Sequence, residues 1–303
     1  MVLKGGNVMN FIKRKNIFFI ISALVIIIGL GFGLSTGLNY GLDFTGGTLM
    51  QISLGKSVPV EEVRRITDTF DTKASIIHAG TNKDEVIIKS TLDFNNKERN
   101  EIFAMFKEEY GLENDALIQS QKFGPAIGSE IQRKAWLSII IATLGMLIYI
   151  TLRFEVKFGL AAIIALIHDV LIVIAVYALF NIPLDSSFVA AILTIVGYSI
   201  NDTIVIFDRI RENLKLMKKN SYEDVINSSI VQTITRTINT SFTTLLAIVT
   251  LYILGVDAIK DFAFPLIVGI VAGTYSSIFI ASPVWYILKT KFKEKDKVNP
   301  HRM

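Results

Sequence analysis

Six apolar stretches, each about the length of a bilayer-crossing helix, limit what this chain can fold into more than any other feature. A spanning helix needs about 20 mostly apolar residues, because inside hydrocarbon the backbone N–H and C=O groups must find their partners within the segment itself. Residues 17–34 form an uncharged run directly after Lys13-Arg14-Lys15, and further runs occupy 135–152, 158–180, 186–207, 229–254 and 262–288. A polar stretch, 37–130, separates the first two runs. A basic flank before an apolar run also marks secretory signals, but no small-x-small cleavage site follows, so an uncleaved anchor is expected. Of the 303 residues 51% are hydrophobic and only 19% charged, which suits a membrane protein. Cysteine is absent, which excludes disulfides, thiolate metal sites and cysteine nucleophiles.

Lys and Arg accumulate in the cytoplasmic loops of membrane proteins. Here the leader carries Lys4, Lys13, Arg14 and Lys15, and the loop between the second and third runs adds Arg153 and Lys157. The connection between the fourth and fifth runs adds Arg209, Arg211, Lys215, Lys218 and Lys219, and the tail adds Lys289, Lys291, Lys293, Lys295, Lys297 and Arg302. Residues 181–185 have none and residues 255–261 only Lys260. This alternation predicts a multi-pass protein of the cell membrane with both termini cytoplasmic. Segment 37–130 then lies outside, with ten Lys and Arg against fifteen Asp and Glu, a net charge of −5. Nucleic-acid recognition needs the opposite sign, so no nucleic-acid partner is expected. The basic cytoplasmic face is accounted for by topology and by the anionic lipid of the bilayer.

Within 37–130, apolar periods of 2 and 3.6 alternate. Residues 48–54 read as a strand and 59–70 as a helix with Glu61 and Glu62 in its first turn. Residues 74–79 and 84–89 read as strands joined by a turn. A helix opened by the capping pair Asn95 and Glu98 places Ile102, Phe103, Phe106 and Tyr110 on one face, and 116–123 closes as a strand. The order βαββαβ is that of a ferredoxin-like fold. The expected fold class is therefore an α-helical membrane protein of six transmembrane helices, with an α+β ferredoxin-like extracytoplasmic domain between helices 1 and 2. The expected division is a cytoplasmic N-terminus (1–16), the first span (17–36), the external domain (37–132), a helical bundle (133–288) with a cytoplasmic connector (208–228), and a basic tail (289–303).

Directly after the first run comes Tyr40-Gly41-Leu42-Asp43-Phe44-Thr45-Gly46-Gly47, whose glycines suit a tight connection from helix to strand. It is neither a phosphate loop nor a dinucleotide fingerprint, since no strand–glycine–helix order exists, and no nucleotide cofactor is expected. An ionisable side chain in a span costs roughly 2.5–3.5 kcal/mol at the bilayer centre, so each one is a functional candidate. The third run holds His168 and Asp169, the fourth Ser199, Asn201 and Asp202, and the fifth Arg236. At ~1.5 Å per residue, Asp202 lies about 9 Å in from Asp208, and Arg236 about 10 Å in from Ser229. The two are thus expected to share a depth and to pair across antiparallel helices. A static buried ion pair, or an arginine snorkelling to the headgroups, would also place them there. The functional reading is a relay in which Asp202 gains and loses a cation while Arg236 tunes it.

His168 and Asp169 either join that relay or satisfy neighbouring helices and carbonyls. A hydrolytic triad of Ser199, His168 and Asp169 lacks the G-x-S-x-G elbow, and neither enzymatic activity nor a metal is expected. In the sixth run Gly269, Gly273, Ser277 and Ala281 recur every four residues, a small-residue face for close helix contact. Thr233, Thr237, Thr240 and Thr244 line one side of the fifth run, as internal packing or as a water-lined stripe. Ile210, Leu214 and Met217 amid Lys and Arg suggest a helix on the membrane surface, and Ser221 with Asp224 an N-cap feeding the fifth run.

Taken together, Gly41-Leu42-Asp43-Phe44-Thr45-Gly46-Gly47 and the run from Val196 to Asn213, which contains Asn201-Asp202-Thr203 and Asp208-Arg209-Ile210-Arg211-Glu212-Asn213, resemble the SecF side of the SecD/SecF family of the bacterial Sec translocase. His168-Asp169 and Arg236-Thr237 match as well, so the resemblance covers essentially the whole chain. It implies a member of the resistance-nodulation-division superfamily that works with SecD beside the SecYEG channel, with YajC as a further partner. Such a subunit uses a proton or sodium gradient to help complete export of unfolded polypeptides. Asp202 and Arg236 fall on the family's ion-coupling positions. Gly41, Asp43, Gly46 and Gly47 fall on its signature turn. The resemblance implies no cofactor other than the coupling H⁺ or Na⁺. A small-molecule or lipid exporter half of the same superfamily, and a purely structural subunit, are the alternatives.

Overall fold

The computed structural model describes residues 10–298; Lys4 and Arg302, both counted in the charge map, lie outside them. Among the described residues, six segments are helical, long and apolar enough to cross a membrane. The chain runs through α1 (Lys15–Thr36) and the short α2 (Leu42–Thr45) into β1 (Gly47–Ser53), α3 (Val60–Thr67), β2 (Ser75–Ala79), β3 (Glu85–Ser90), α4 (Asn96–Tyr110) and β4 (Leu117–Phe123). The bundle then continues with α5 (Pro125–Arg153), α6 (Val156–Leu179), α7 (Ser186–Leu216), α8 (Tyr222–Leu254) and α9 (Asp257–Ser276). A π-helical segment, Ser277–Ala281, joins α9 to α10 (Ser282–Val298).

The small domain is a four-stranded sheet in the order β2-β3-β1-β4 with every neighbouring pair antiparallel, the ferredoxin-like arrangement. Its core follows from the period-two pattern. Met50 and Ile52 of β1 and Val86 and Ile88 of β3 turn to one face, where Val63 of α3 and Ile102, Phe103 and Phe106 of α4 cover them. The Asn95 side chain accepts from the Lys97 and Glu98 backbone N–H groups, while Glu98 accepts from the Asn95 N–H at 2.7 Å, closing a capping box.

In the bundle, α6, α7 and the α9–π–α10 span supply most of the interior, while α1, α5 and α8 keep much of their apolar surface on the outside. Close approach of α9 to α7 depends on missing side chains. A Cβ at Gly269 would stand 2.2 Å from the Ile195 side chain, and one at Gly273 2.8 Å from the Ser199 Cβ. The small-residue face read from the sequence thus seats α9 on α7, and Ala281 at its end is fully buried. The stretch read as a surface helix is placed differently. Residues 208–216 continue α7 without a break, and only 217–221 separate it from α8. Ile210 is buried, and the buried Asn213 amide donates to Ser229 Oγ at 2.9 Å and to Gln232 Oε1 at 2.7 Å on α8. The apolar stripe therefore faces a neighbouring helix instead of lipid. Ser221 does cap α8, its Oγ accepting from the Asp224 N–H at 3.1 Å.

Candidate functional site

The buried polar side chains of the bundle gather around two carboxylates. Asp169 on α6 is fully buried. Its Oδ1 lies 2.9 Å from His168 Nδ1, and its Oδ2 accepts from Ser199 Oγ at 2.6 Å and Ser276 Oγ at 2.9 Å. His168 Nε2 reaches Ser22 Oγ of α1 at 2.9 Å. Four spans are stitched together through this one acid, and three side chains meet its two oxygens. Ser199, His168 and Asp169 do meet, but Ser199 donates to Asp169 and has no bond to His168 among the described residues. That order differs from a hydrolytic triad, in which the imidazole sits between serine and acid. Ser277, expected as a spacer in the packing face, also bonds Thr203 Oγ1 at 2.8 Å from within the π segment.

Asp202 on α7 is also buried but sparsely held. Its Oδ2 accepts from Ser241 Oγ of α8 at 3.2 Å, and Ser241 lies 2.6 Å from Thr274 Oγ1 of α9, which reaches the Ile270 carbonyl at 2.8 Å. This chain of hydroxyls is satisfied in two directions. With Asp202 ionised, Thr274 donates to Ser241 and Ser241 to the carboxylate. With Asp202 protonated, the acid donates to Ser241, Ser241 to Thr274, and Thr274 to the carbonyl. One short set of groups thus accommodates either protonation state without a stranded donor or acceptor.

The expected direct pair with Arg236 is not formed. Arg236 acts on Asp202 through space, but no hydrogen bond or ion pair joins them among the described residues, and the arginine lies on the exposed side of α8. The contacts Tyr198–Thr244, Asp202–Ser241, Arg209–Gln232 and Asn213–Ser229 fix the α7–α8 register and put Ser241 opposite the acid. Arg236 sits five residues before Ser241, ~7.5 Å along the helix. Depths counted from hydropathy boundaries missed by about a turn. Asn201 also faces outward, away from the Asp202 cluster. Ser22, Ser241, Thr274 and Ser276 were not singled out in the sequence, where nothing distinguishes a span hydroxyl that crosses to another helix from one that bonds its own backbone.

The glycine-rich turn is more than a connector. The Gly41 N–H donates to the Leu184 carbonyl at 2.7 Å and the Leu184 N–H to the Asn39 carbonyl at 2.8 Å, so the turn zips onto the loop before α7. Asp43 Oδ2 accepts from the Ser186 N–H at 3.0 Å, and Asp185 Oδ1 from the Phe188 N–H at 3.0 Å, so two carboxylates cap the α7 N-terminus. Burial pushes the Asp185 carboxyl above its ordinary range and the neighbouring Asp43 adds to this, while the Phe188 N–H and Lys89 act in the other direction. Gly47 has φ +138°, and a Cβ there would stand 2.2 Å from the Ser90 carbonyl oxygen, so no other residue fits without strain.

Comparison with known proteins agrees with this architecture. The family described as "Protein export membrane protein SecD/SecF, C-terminal" matches residues 104–291, and "SecD/SecF GG Motif" matches residues 31–58. The chain is 37% identical over 294 residues to the protein translocase subunit SecF of Calditerrivibrio nitroreducens, covering 95% of this chain and 97% of that one. It is 36% identical to the SecF subunit of Pseudomonas aeruginosa, covering 94% and 92%. With the protein translocase subunit SecDF of Bacillus subtilis it shares 34% identity over 95% of its own length and 39% of the relative's. The crystal structure of SecDF, a translocon-associated membrane protein from Thermus thermophilus, superposes with a TM-score of 0.81 at 37% identity. That match covers 95% of this chain but only 40% of the SecDF chain. By sequence along nearly its whole length and by fold, the chain belongs to the SecD/SecF family of protein export membrane proteins.

Proposed function

We propose that this protein is the SecF-type half of a membrane machine for protein export, in which loading of a cation on Asp202 drives a change in helix packing that moves the small domain. The carrying observation is the contrast between the two buried acids. Asp169 has its two oxygens met by three side chains, whereas Asp202 has one weak donor, belongs to a hydroxyl chain that works in both directions, and feels Arg236 without being bonded to it. An acid so placed changes its charge with little rearrangement of its immediate partners, and the charge change alters its attraction to Arg236.

α7 supplies the mechanical link. From Asp202 to Ser186 is sixteen residues, ~24 Å of continuous helix, and the Ser186 end is held by Asp43 of the turn that leads into β1. A shift of α7 thus reaches the root of the domain. One charge crossing 100 mV releases about 2.3 kcal/mol, a bias of about fifty-fold on a two-state equilibrium.

The outward side of α7 and α8 carries Asn201, Arg236 and Asn239 at membrane depth, all exposed. Polar groups on a lipid face are expensive, so a SecD-type subunit is placed against this surface, with an acidic group near Arg236. The charge distribution supports termini on the cytoplasmic side and a domain on the outer side, where a SecYEG-type channel releases an unfolded chain; YajC is a further candidate partner. The test is an export assay with the SecD-type partner present and the proton and sodium gradients varied separately. Asp202→Asn is expected to abolish gradient-dependent export while insertion and partner association persist. Unimpaired gradient-dependent export by that variant would reject the coupling role.

A further inference from the structure

Ser229, Thr233, Thr237 and Ser241 recur every four residues along α8, and all four are buried. Most hydroxyls of this helix bond their own backbone. Ser229 Oγ reaches the Val225 carbonyl at 2.7 Å, Thr233 the Ser229 carbonyl at 2.9 Å, Thr240 the Arg236 carbonyl at 2.9 Å and Thr244 the Thr240 carbonyl at 3.0 Å. Thr237 departs from the pattern: its Oγ1 is buried and has no hydrogen-bond partner among the described residues. A helical threonine has one rotamer that back-bonds to the carbonyl a turn earlier, and Thr237 does not use it. One turn further on, Ser241 likewise turns away from its own backbone, and its hydroxyl reaches Asp202 and Thr274. In the other direction the same face arrives at Ser229, which accepts from Asn213, itself joined through Gln232 to Arg209 at the hairpin end.

We infer that Thr237 is a station on the route by which a proton leaves Asp202 toward the α7–α8 hairpin, its hydroxyl holding the first of a line of waters that runs from the acid toward the polar cluster of Asn213 and Gln232. A stranded buried hydroxyl costs free energy unless water or another group meets it, and Thr237 stands one turn from the Asp202 contact on the buried face that leads toward the hairpin. In the transfer, the O–H bond of protonated Asp202 breaks as its proton passes to that first water. That water gives up a proton to the next water in line, nothing is oxidised or reduced, and Asp202 is left as a carboxylate. This rests on the coupling role proposed for Asp202.

The experiment uses the complete complex with the SecD-type partner, reconstituted in vesicles loaded with a pH-sensitive dye and driven by an imposed pH gradient. Thr237→Val keeps the side-chain shape and removes the hydroxyl. It is expected to slow proton flux about tenfold, the rate equivalent of one lost hydrogen-bonding group. Thr237→Ser is expected to restore it. Thr250→Val, which removes an exposed hydroxyl bonded to the Leu246 carbonyl of its own helix, is expected to leave flux unchanged. An unchanged unfolding midpoint and unimpaired assembly with the SecD-type partner in Thr237→Val establish that the helix packing is intact. Unaltered flux in Thr237→Val, alongside abolished flux in Asp202→Asn, overturns this route and leaves the coupling role standing. Flux unaltered in Asp202→Asn overturns both.

Discussion

Ser199 and Ser241 each donate to a buried acid, and their removal separates a structural carboxylate from one poised to change charge. Ser199→Ala leaves Asp169 short of one of its three partners in a fully buried place. The expected loss is about 1–3 kcal/mol, the range for a buried polar group left short of a partner, read as a lowered unfolding midpoint of the detergent-solubilised protein. Ser241→Ala removes only the 3.2 Å donor of Asp202, so its main effect is expected in the pH profile of proton flux and not in the unfolding midpoint. The acids and the arginine were legible in the sequence because charge in a span demands a reason. Their partners were not. Ser22, Ser276 and Thr274 look like any hydroxyl in a helix until rotamers and neighbouring spans are fixed, and Arg236 was matched with Asp202 one turn too early.

Helix α9 tests the packing at the next scale. Gly269→Val drives new methyl groups into Ile195, and overpacking of this kind costs about 1–3 kcal/mol and displaces the α9 contact with α7, measurable as a lower thermal midpoint. At the other end of α7 the prediction concerns pH. Because burial raises the Asp185 carboxyl above its unfolded value, the native state holds that proton more tightly than the unfolded chain, where Asp titrates near about 3.9. The stability this confers is complete below the unfolded value and is lost as pH rises through the raised native one. Asp185→Asn retains a capping oxygen but removes the charge, so its stability-against-pH curve is expected to be flatter across that window. The domain's elements were readable in order because its strands and helices have distinct periods, with Asn95 and Glu98 marking a helix start. The continuation of α7 through 208–216 was not. An apolar stripe such as Ile210 and Leu214 reads the same whether lipid or another helix covers it. Nor could the sequence show Asp43 capping Ser186, a contact that spans 143 residues of chain.

Across the whole molecule, α7 carries Asp202 in its middle and a fastening to the root of the small domain at its N-terminus, and Asn201, Arg236 and Asn239 are exposed on the side it shares with α8. The six spans and their order follow from hydropathy, and the sided charge pattern from the loops. The register between α7 and α8 emerges only from packed side chains, and it is this register that leaves Asp202 free of a direct ion pair. Asp202→Asn tests the account most directly: gradient-driven proton or sodium flux in vesicles holding the complete complex is expected to fall to background while the complex still assembles. Flux at the unmodified level from an assembled Asp202→Asn complex would contradict it.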